Sequence, residues 1–269
     1  MNPTNKLETF VGPGRMHGLS LIELMVALVL SLFLIGGVIQ VFLSGKQTYQ
    51  TVTGQSQVSE TARAAEYLLA AQLHQAGYWD DVDAVRRFVA VTDFAADAVV
   101  AGQNNVTGSS TVLAGTDELR IRFTGAADGS IQTCMGGQPG SDLIITERFY
   151  VRPASTSNPE PSLMCEVTQN ALDRDTGAVG AQISKSAVPL IDGVEAFQVL
   201  YGAGLGSVQF MDAGSISNWS RVRSVRFAVL LSSGERASAQ ARASGFEVLG
   251  QTVADQADGH VRQVLQHEV

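Results

Sequence analysis

The sequence is poor in charged residues, in cysteine and in proline. Charged residues make up only 16% of the chain, acidic residues outnumber basic ones by 26 to 18, and the formal net charge is −8. This balance argues against a nucleic-acid-binding surface, which needs a basic footprint. The two cysteines are too few for a disulfide-dense scaffold or a four-cysteine zinc site. A hydrophobic fraction of 45% excludes a wholly disordered chain, because disorder goes with low hydrophobicity and high charge.

The sequence also lacks the motifs of common enzymes and metalloproteins. No G-x-S-x-G nucleophile elbow occurs, and the four histidines have no zinc-binding spacing. The glycine-rich stretch 202–206 follows a predicted strand, but no helical pattern follows it, as a phosphate-binding loop requires. We therefore expect no catalytic residue, no bound cofactor, no metal site and no nucleic-acid partner. A membrane-tethered enzyme or small-ligand-binding protein is a remote alternative that would need a polar cluster in a pocket.

What the sequence does contain is a long apolar run near its N-terminus. Residues 19–43 read LSLIELMVALVLSLFLIGGVIQVFL, 25 residues with a single charge at Glu23. As an α-helix this run would span roughly 37 Å, more than the ~30 Å hydrocarbon core of a bilayer. Because helices of soluble cores are seldom apolar on every face, the run predicts a transmembrane helix. Lys6 and Arg15 before the run, against Lys46 alone just after it, favour a cytoplasmic N-terminus and export of the remainder.

Helical periodicity continues beyond the apolar run. Apolar residues recur at steps of three and four along one face, which predicts an amphipathic continuation over 44–77. This apolar stripe consists of Val58, Ala62, Ala65, Leu69, Leu73 and Ala76. Gly77 is a typical C-terminal stop signal, and no proline interrupts the segment. The sequence therefore predicts one helix of about 58 residues over 19–76, whose second half needs a surface to pack on.

From about residue 88 the pattern changes to the alternation typical of β-strands. Runs of alternating apolar and polar residues are separated by glycine, serine, asparagine and aspartate, which favours antiparallel strands joined by turns. The predicted strands lie at 119–123, 143–151, 194–201, 222–231, 245–250 and 260–266. The stretches 93–116 and 152–162 are predicted to be loops. The fold class expected is α+β, with the long N-terminal helix packed on an antiparallel sheet.

The domain organisation follows from these segments. We expect a leader over 1–18, the transmembrane helix over 19–43, the amphipathic helix over 44–77 and the exported β-domain over 78–269. Within the membrane segment, Glu23 is the informative residue, since a carboxylate at mid-membrane costs about 2.5–3.5 kcal/mol on insertion scales. It is either a charge tolerated near the interface or a carboxylate that awaits a cationic partner.

The residues around Glu23 carry a resemblance. The segment from Gly18 to Leu24, which reads GLSLIEL, resembles the signal of type IV prepilins. In that signal a glycine comes directly before the apolar run, and a glutamate lies a few residues into the run. The resemblance implies cleavage between Gly18 and Leu19 by the prepilin peptidase, usually with N-methylation of the new terminus. Glu23 then becomes the fifth residue of the mature chain. The new amino group at Leu19 of a neighbouring subunit would be its cationic partner during assembly.

Further motifs resemble one family of minor pilins, the PilW family. These motifs are Lys46-Gln47-Thr48-Tyr49, Gln75-Ala76-Gly77-Tyr78-Trp79, Gly193-Val194-Glu195 with Gln198 to Gly202, and Trp219 followed by Val222-Arg223-Ser224-Val225-Arg226. The resemblance extends, with gaps, over residues 15–266. It implies a pilin-like fold and a minor subunit that primes pilus assembly and occupies the pilus tip, with roles in adhesion and twitching motility.

The resemblance also implies partners and location. The expected partners are other minor pilins, the major pilin, the prepilin peptidase, the inner-membrane assembly platform and a large tip adhesin. The expected location is the bacterial inner membrane as a single-pass protein, followed by the extracellular pilus. A minor pseudopilin of a type II secretion system, which shares the signal and the architecture, is the nearest alternative.

Cys134 and Cys165 both lie in the part predicted to be exported. In an oxidising compartment one disulfide is the natural expectation, with two free thiols as the alternative. The bond would close a loop of 32 residues, which stabilises the fold by roughly 3–4 kcal/mol in the chain-entropy account.

Overall fold

The computed structural model describes residues 18, 20–80, 88–204, 208–237 and 244–269. It divides into two compact units, Met1–Thr48 and Tyr49–Val269. The division falls inside the long helix and not at its end, because the second half of the helix is part of the core of the β-domain. The sequence analysis places segment boundaries at 43/44 and 77/78, and the division between the two units lies close to the first of these.

The first element is a single α-helix, α1, from Leu21 to Gln75. It begins where the carbonyl of Ser20 accepts the backbone N–H groups of Glu23 (3.0 Å) and Leu24 (3.1 Å). It ends at Gln75, two residues before Gly77. Gly77 has a φ of +78°, which favours glycine, and its N–H donates to the carbonyl of Arg122 at 2.9 Å. The helix has 55 residues, close to the predicted length.

The predicted apolar stripe is buried in the Tyr49–Val269 unit, with only Ala76 partly exposed. The buried helical residues are Gly54, Val58, Ala62, Ala65, Leu69, Gln72 and Leu73. Gly54 allows close packing, since a Cβ there would lie 3.1 Å from the Cβ of Ala237, and Thr51 next to it donates to the carbonyl of Ala237 at 2.7 Å. Gly54 is therefore a site where the helix closely approaches the residue that follows β8.

The strands form two main antiparallel sheets and one small one. The five-stranded sheet has the order β1-β2-β3-β4-β5, the four-stranded sheet β11-β8-β6-β7, and β9 pairs with β10. Their bounds are β1 Val100–Gln103, β2 Glu118–Thr124, β3 Leu143–Arg152, β4 Ser162–Leu172, β5 Val179–Asp192, β6 Val194–Ala203, β7 Gln209–Met211, β8 Val222–Arg236, β9 Phe246–Val248, β10 Gln251–Val253 and β11 His260–Glu268. Two short 3₁₀ turns, Ala213–Ser215 and Trp219–Arg221, precede β8.

One hydrophobic core joins the helix stripe to both main sheets. Its largest fully buried apolar side chains include Phe123 and Phe149 from the five-stranded sheet and Phe197, Tyr201 and Phe227 from the four-stranded sheet. The fold is therefore α+β, a long N-terminal helix packed on antiparallel β-structure, as the sequence predicts.

The strand prediction was incomplete in the five-stranded sheet. The strands β4 and β5 were not predicted, and β1 lies inside a stretch predicted to be loop. Most of β5 is exposed on both faces, so its side chains carry no apolar alternation. The segment 153–161 between β3 and β4 is irregular, as its prolines predict.

Candidate functional site

The apolar half of α1 is exposed along its whole length. Every described residue from Ser20 to Tyr49 is exposed, and large side chains such as Leu21 and Phe33 each keep 77% of their surface accessible. Among the described residues, α1 is the one helix long and apolar enough to cross a membrane, and its most apolar window has no buried residue. A contiguous apolar surface of this size marks a membrane-contacting or protein-contacting segment.

The predicted processing and assembly residues lie at the start of this segment. Gly18 is exposed, and no atom lies within 4 Å of the position that a Cβ would take. Leu19 lies outside the described residues. Glu23 is exposed in the first helical turn, where a negative charge interacts favourably with the helix dipole. Cleavage after Gly18 and the pairing of Glu23 with a neighbouring amino terminus remain predictions.

The structure brings the two cysteines together. Cys134, in the loop between β2 and β3, forms a disulfide with Cys165 of β4, with a Cα–Cα distance of 6.6 Å. Cys165 is fully buried and Cys134 partly so. The loop that carries Cys134 also contacts the end of α1, where the N–H of Gln132 donates to Oε1 of Gln75 at 3.2 Å. The disulfide thus ties this loop to the sheet beside the C-terminal turn of the helix.

A buried carboxyl group that the sequence analysis missed lies against the disulfide. Glu147 of β3 has no exposed surface, and the N–H of Cys134 donates to its Oε1 at 2.7 Å. Burial raises the pKa of Glu147 to about 7, although the Cys134 N–H opposes the shift. An oxygen of Glu147 and the two sulfurs lie within 4.8 Å of one another. Since the sulfurs are bonded to each other, this group offers a single carboxylate and cannot hold a metal ion.

Other buried charges lock the domain together. Arg262 of β11 pairs with Glu195 of β6 at 2.7 Å and with Asp258 at 2.7 Å. Glu118 of β2, nearly buried, accepts from both Arg148 and Arg120 across the sheet. The hydrogen bonds and charges of these arginines together lower the pKa of Glu118, although burial, the largest single influence, acts in the opposite direction.

Arg122 of β2 organises the segment between the helix and the first strand. It is 1% exposed and lies over the rings of Phe88 and Phe94, at 4.9 and 4.8 Å from their centroids. Its guanidinium donates to four carbonyl groups of this segment, those of Phe88, Val89, Ala95 and Ala98. The buried cation therefore satisfies carbonyl groups and has a structural role. The sequence analysis did not identify Arg122, because its place in the strand pattern is that of an ordinary exposed residue.

The grooves of the described residues contain no recognisable catalytic constellation. The larger ones have volumes of about 440 and 500 Å³. The first is lined by Glu60, Glu160 and Asp192 among apolar and neutral neighbours, and the second by Trp219, Arg223 and Asp97. Neither combines a nucleophile with a base in hydrogen-bonding contact, which an acyl- or phosphoryl-transfer site needs.

The comparison with protein families gives a match over residues 148–269, to the family described as type IV pilus-assembly protein W, PilW. This range runs from the middle of β3 to the C-terminus and contains the Gly193-Val194-Glu195 and Trp219 motifs on which the resemblance rests. This C-terminal part of the chain is similar to the PilW family. The resemblance to the PilW family that the sequence motifs carry is confirmed.

The other comparisons add little. Among solved structures, the chain is similar to a type IV-like pilin from Thermus thermophilus, with 17% sequence identity, a TM-score of 0.46, and coverage of 79% of this chain and 96% of that one. No protein of curated function matches the chain. Function is therefore inferred from the PilW match over residues 148–269 and from the residues of this chain.

Proposed function

We propose that this PilW-domain protein is a minor pilin subunit of type IV pili that primes filament assembly and resides at the pilus tip. One observation carries the proposal: α1 has an apolar half that is exposed on every face, and its other half is part of the core of a domain in which residues 148–269 match the PilW family. The apolar half suits storage in the inner membrane as a single span with a cytoplasmic N-terminus. The same surface suits burial among helices of other subunits after assembly.

Charge pairing would set the position of the subunit in the filament. Cleavage after Gly18 frees an amino group at Leu19, and Glu23 lies four residues further along the helix. In the filament, the Glu23 carboxylate pairs with the amino group of a neighbouring subunit. Neither group has such a partner while its subunit is alone in the membrane. In a low-dielectric setting the partner left unpaired is strongly destabilised, by about 3–5 kcal/mol in buried pairs. When the same head-to-tail contact is repeated between successive subunits, each displaced along the axis, the result is a helical filament.

The β-domain would act as a rigid module for recognition. Its disulfide and its buried ion pairs hold the loops of the exported part in one arrangement. We propose that its partners are other minor pilins, the major pilin and a large tip adhesin, and that it supports adhesion and twitching motility without catalysis. The prepilin peptidase and the assembly platform are partners at the membrane.

Substitution of Glu23 tests this proposal. Glu23→Ala should leave a processed, folded protein in the inner membrane, because the variant removes a carboxylate that the membrane disfavours. The amount of the subunit recovered from sheared filaments, and twitching, should fall strongly. Glu23→Gln should behave similarly, and Glu23→Asp should retain part of the function. Ser31→Ala is the matched control in the same segment, since the Ser31 hydroxyl is satisfied locally by the carbonyl of Leu28 at 2.8 Å.

The partners that co-purify with the tagged subunit separate the two pilin-type hypotheses. Pilus subunits and a tip adhesin in sheared filaments support the proposed role. Recovery with subunits of a type II secretion system, together with a secretion defect and normal pili, would identify a pseudopilin instead. If Glu23→Ala gave wild-type numbers of filaments and normal recovery of the subunit from them, the proposal that charge pairing positions the subunit would be refuted.

A further inference from the structure

Glu147 and Cys165 lie on the same inward face of neighbouring strands. In the β3–β4 register Glu147 is opposite Val167 and Phe149 is opposite Cys165, so the carboxyl group and the sulfur are diagonal neighbours on one face. Both residues have no exposed surface. A carboxylate oxygen lies within 4.8 Å of both sulfurs. This distance is close enough for proton transfer after a small side-chain rotation.

The surroundings of Glu147 supply no counter-charge. Its partner on β2 is Ile121 and its partner on β4 is Val167, both apolar. From α1, the amide of Gln72 faces its second oxygen at 3.1 Å once the amide is oriented to satisfy its neighbours. From the loop, the backbone N–H of Cys134 donates to Glu147. Within the described residues no cationic side chain pairs with Glu147. The buried carboxyl group therefore forms no ion pair that would explain its presence in the core.

The two sulfurs differ in access. Cys134 is partly exposed, whereas Cys165 is inaccessible to solvent. An external disulfide can therefore reach Cys134 and not Cys165. A thiol buried in apolar surroundings ionises less readily than one in water, and only the thiolate is nucleophilic. Closure of the disulfide by Cys165 thus needs a base inside the protein.

We propose that Glu147 is the general base that activates Cys165 during formation of the Cys134–Cys165 disulfide. The oxidant is a protein or low-molecular-weight disulfide, whose first exchange with Cys134 gives a mixed disulfide and releases one thiol. Glu147 then takes the proton of the Cys165 thiol. The resulting thiolate attacks the sulfur of Cys134, so the Cys165–Cys134 bond forms and the Cys134–oxidant bond breaks. The electron pair leaves with the second sulfur of the oxidant, which is thereby fully reduced.

The same group acts in reverse when the disulfide opens. A reducing thiolate attacks Cys134, and protonated Glu147 returns a proton to Cys165 as it leaves. The raised pKa of Glu147, about 7, lets both forms of the group be present near neutral pH. Glu147 thereby links the redox state of this loop to pH.

The test compares Glu147→Gln with the wild type as full-length protein in detergent. The reduced protein is mixed with oxidised glutathione, the reaction is stopped with acid, and mass spectrometry separates free thiol, mixed disulfide and closed forms. The intramolecular closure of the Glu147→Gln variant should be about ten-fold slower or more at pH 7. Wild-type closure should level off above the pKa of Glu147, whereas closure in the variant should keep rising with pH until the thiol itself ionises.

Glu166→Gln is the matched control. Glu166 is adjacent to Cys165 in sequence, but its carboxylate pairs with Lys185 at 3.1 Å, away from the disulfide. Wild-type closure is expected in this variant. If reduced Glu147→Gln does not fold, the oxidised variant is used instead, and its opening by dithiothreitol should be slowed at pH 6–7. Closure and opening at wild-type rates, with an unchanged pH profile, would overturn the proposal.

Discussion

The two halves of α1 have the same backbone and opposite surroundings. Residues 21–48 are exposed on every side although they are the most apolar part of the chain. Residues 49–75 bury one stripe and expose a polar face that includes Glu60 and Arg63. The second half therefore finds its packing partner within the chain, and the first half finds none among the described residues of its own unit. Helical propensity alone does not separate the two halves, whereas the width of the apolar face does.

A pair of leucine substitutions along the same helix should give the largest difference between the halves. Leu69→Ala removes a side chain with no exposed surface and should lower the free energy of unfolding of the β-domain by about 3–5 kcal/mol. Leu34→Ala, at a position 72% exposed, should leave that free energy unchanged. Denaturant unfolding of both full-length variants in the same detergent measures the difference. Equal losses would show that the apolar half is packed on the domain.

Removal of the disulfide should have the next largest effect. The double variant Cys134→Ala/Cys165→Ala should be less stable by roughly 3–4 kcal/mol, because its unfolded chain is no longer restricted by a 32-residue loop. Insertion of the apolar half into membranes should not change. Denaturant unfolding and membrane fractionation test the two statements separately. A loss below about 1 kcal/mol would mean that the hydrogen bonds of the loop hold it in place almost as well without the disulfide.

A smaller effect is expected from the buried acid. Burial raises the pKa of Glu147 in the folded protein from 4.5 to about 7. Protonation of Glu147 therefore stabilises the folded state. This contribution is complete below about pH 4.5 and is lost as the pH rises through 7. Glu147→Gln, which keeps an oxygen for the Cys134 N–H, should be more stable than the wild type at pH 8 by about 2 kcal/mol and should lack the part of the decline in stability that Glu147 contributes.

The comparison of unfolding free energies at pH 5 and pH 8 checks this sign. Asp117, with a pKa raised to about 6 by burial, contributes a similar decline that the Glu147 variant retains. The difference between wild type and variant isolates Glu147. A wild type that gains stability from pH 5 to pH 8 relative to the variant would contradict the assignment of a raised pKa.

The sequence was sufficient to predict those features that depend on local periodicity. The helix, its buried stripe and the strands β2, β3, β6, β8 and β11 follow from apolar spacing. The strand β5 could not be found in this way, because it is held by pairing with β4 and not by an apolar face of its own. A strand whose side chains face solvent on both sides has no periodic signal. The strand β4, in contrast, buries Leu163, Cys165 and Val167 at alternate positions, a signal that the sequence analysis missed.

The polar core was also beyond the sequence. Arg122 alternates with Ile121 and Phe123 as an exposed strand residue would, yet it is buried. Glu147 has the same inward phase as Ile145 and Phe149, a position at which the pattern predicts an apolar residue. Arg122 is accommodated by carbonyl groups of residues 24 to 34 positions away. Such partners are defined only by the tertiary fold, so a one-dimensional pattern cannot identify them. The signal at Gly18 to Leu24, in contrast, is local and needs no fold.

The central claim is that the apolar half of α1 is a prepilin segment processed at its N-terminal side and retained in the mature protein. N-terminal mass spectrometry of the protein purified from its native membranes tests this claim most directly. The account predicts a mature chain that begins at Leu19, with a methyl group on its amino nitrogen, and that still contains residues 19–43. A mature N-terminus beyond Leu43 would identify the segment as an ordinary secretory signal and would contradict the account.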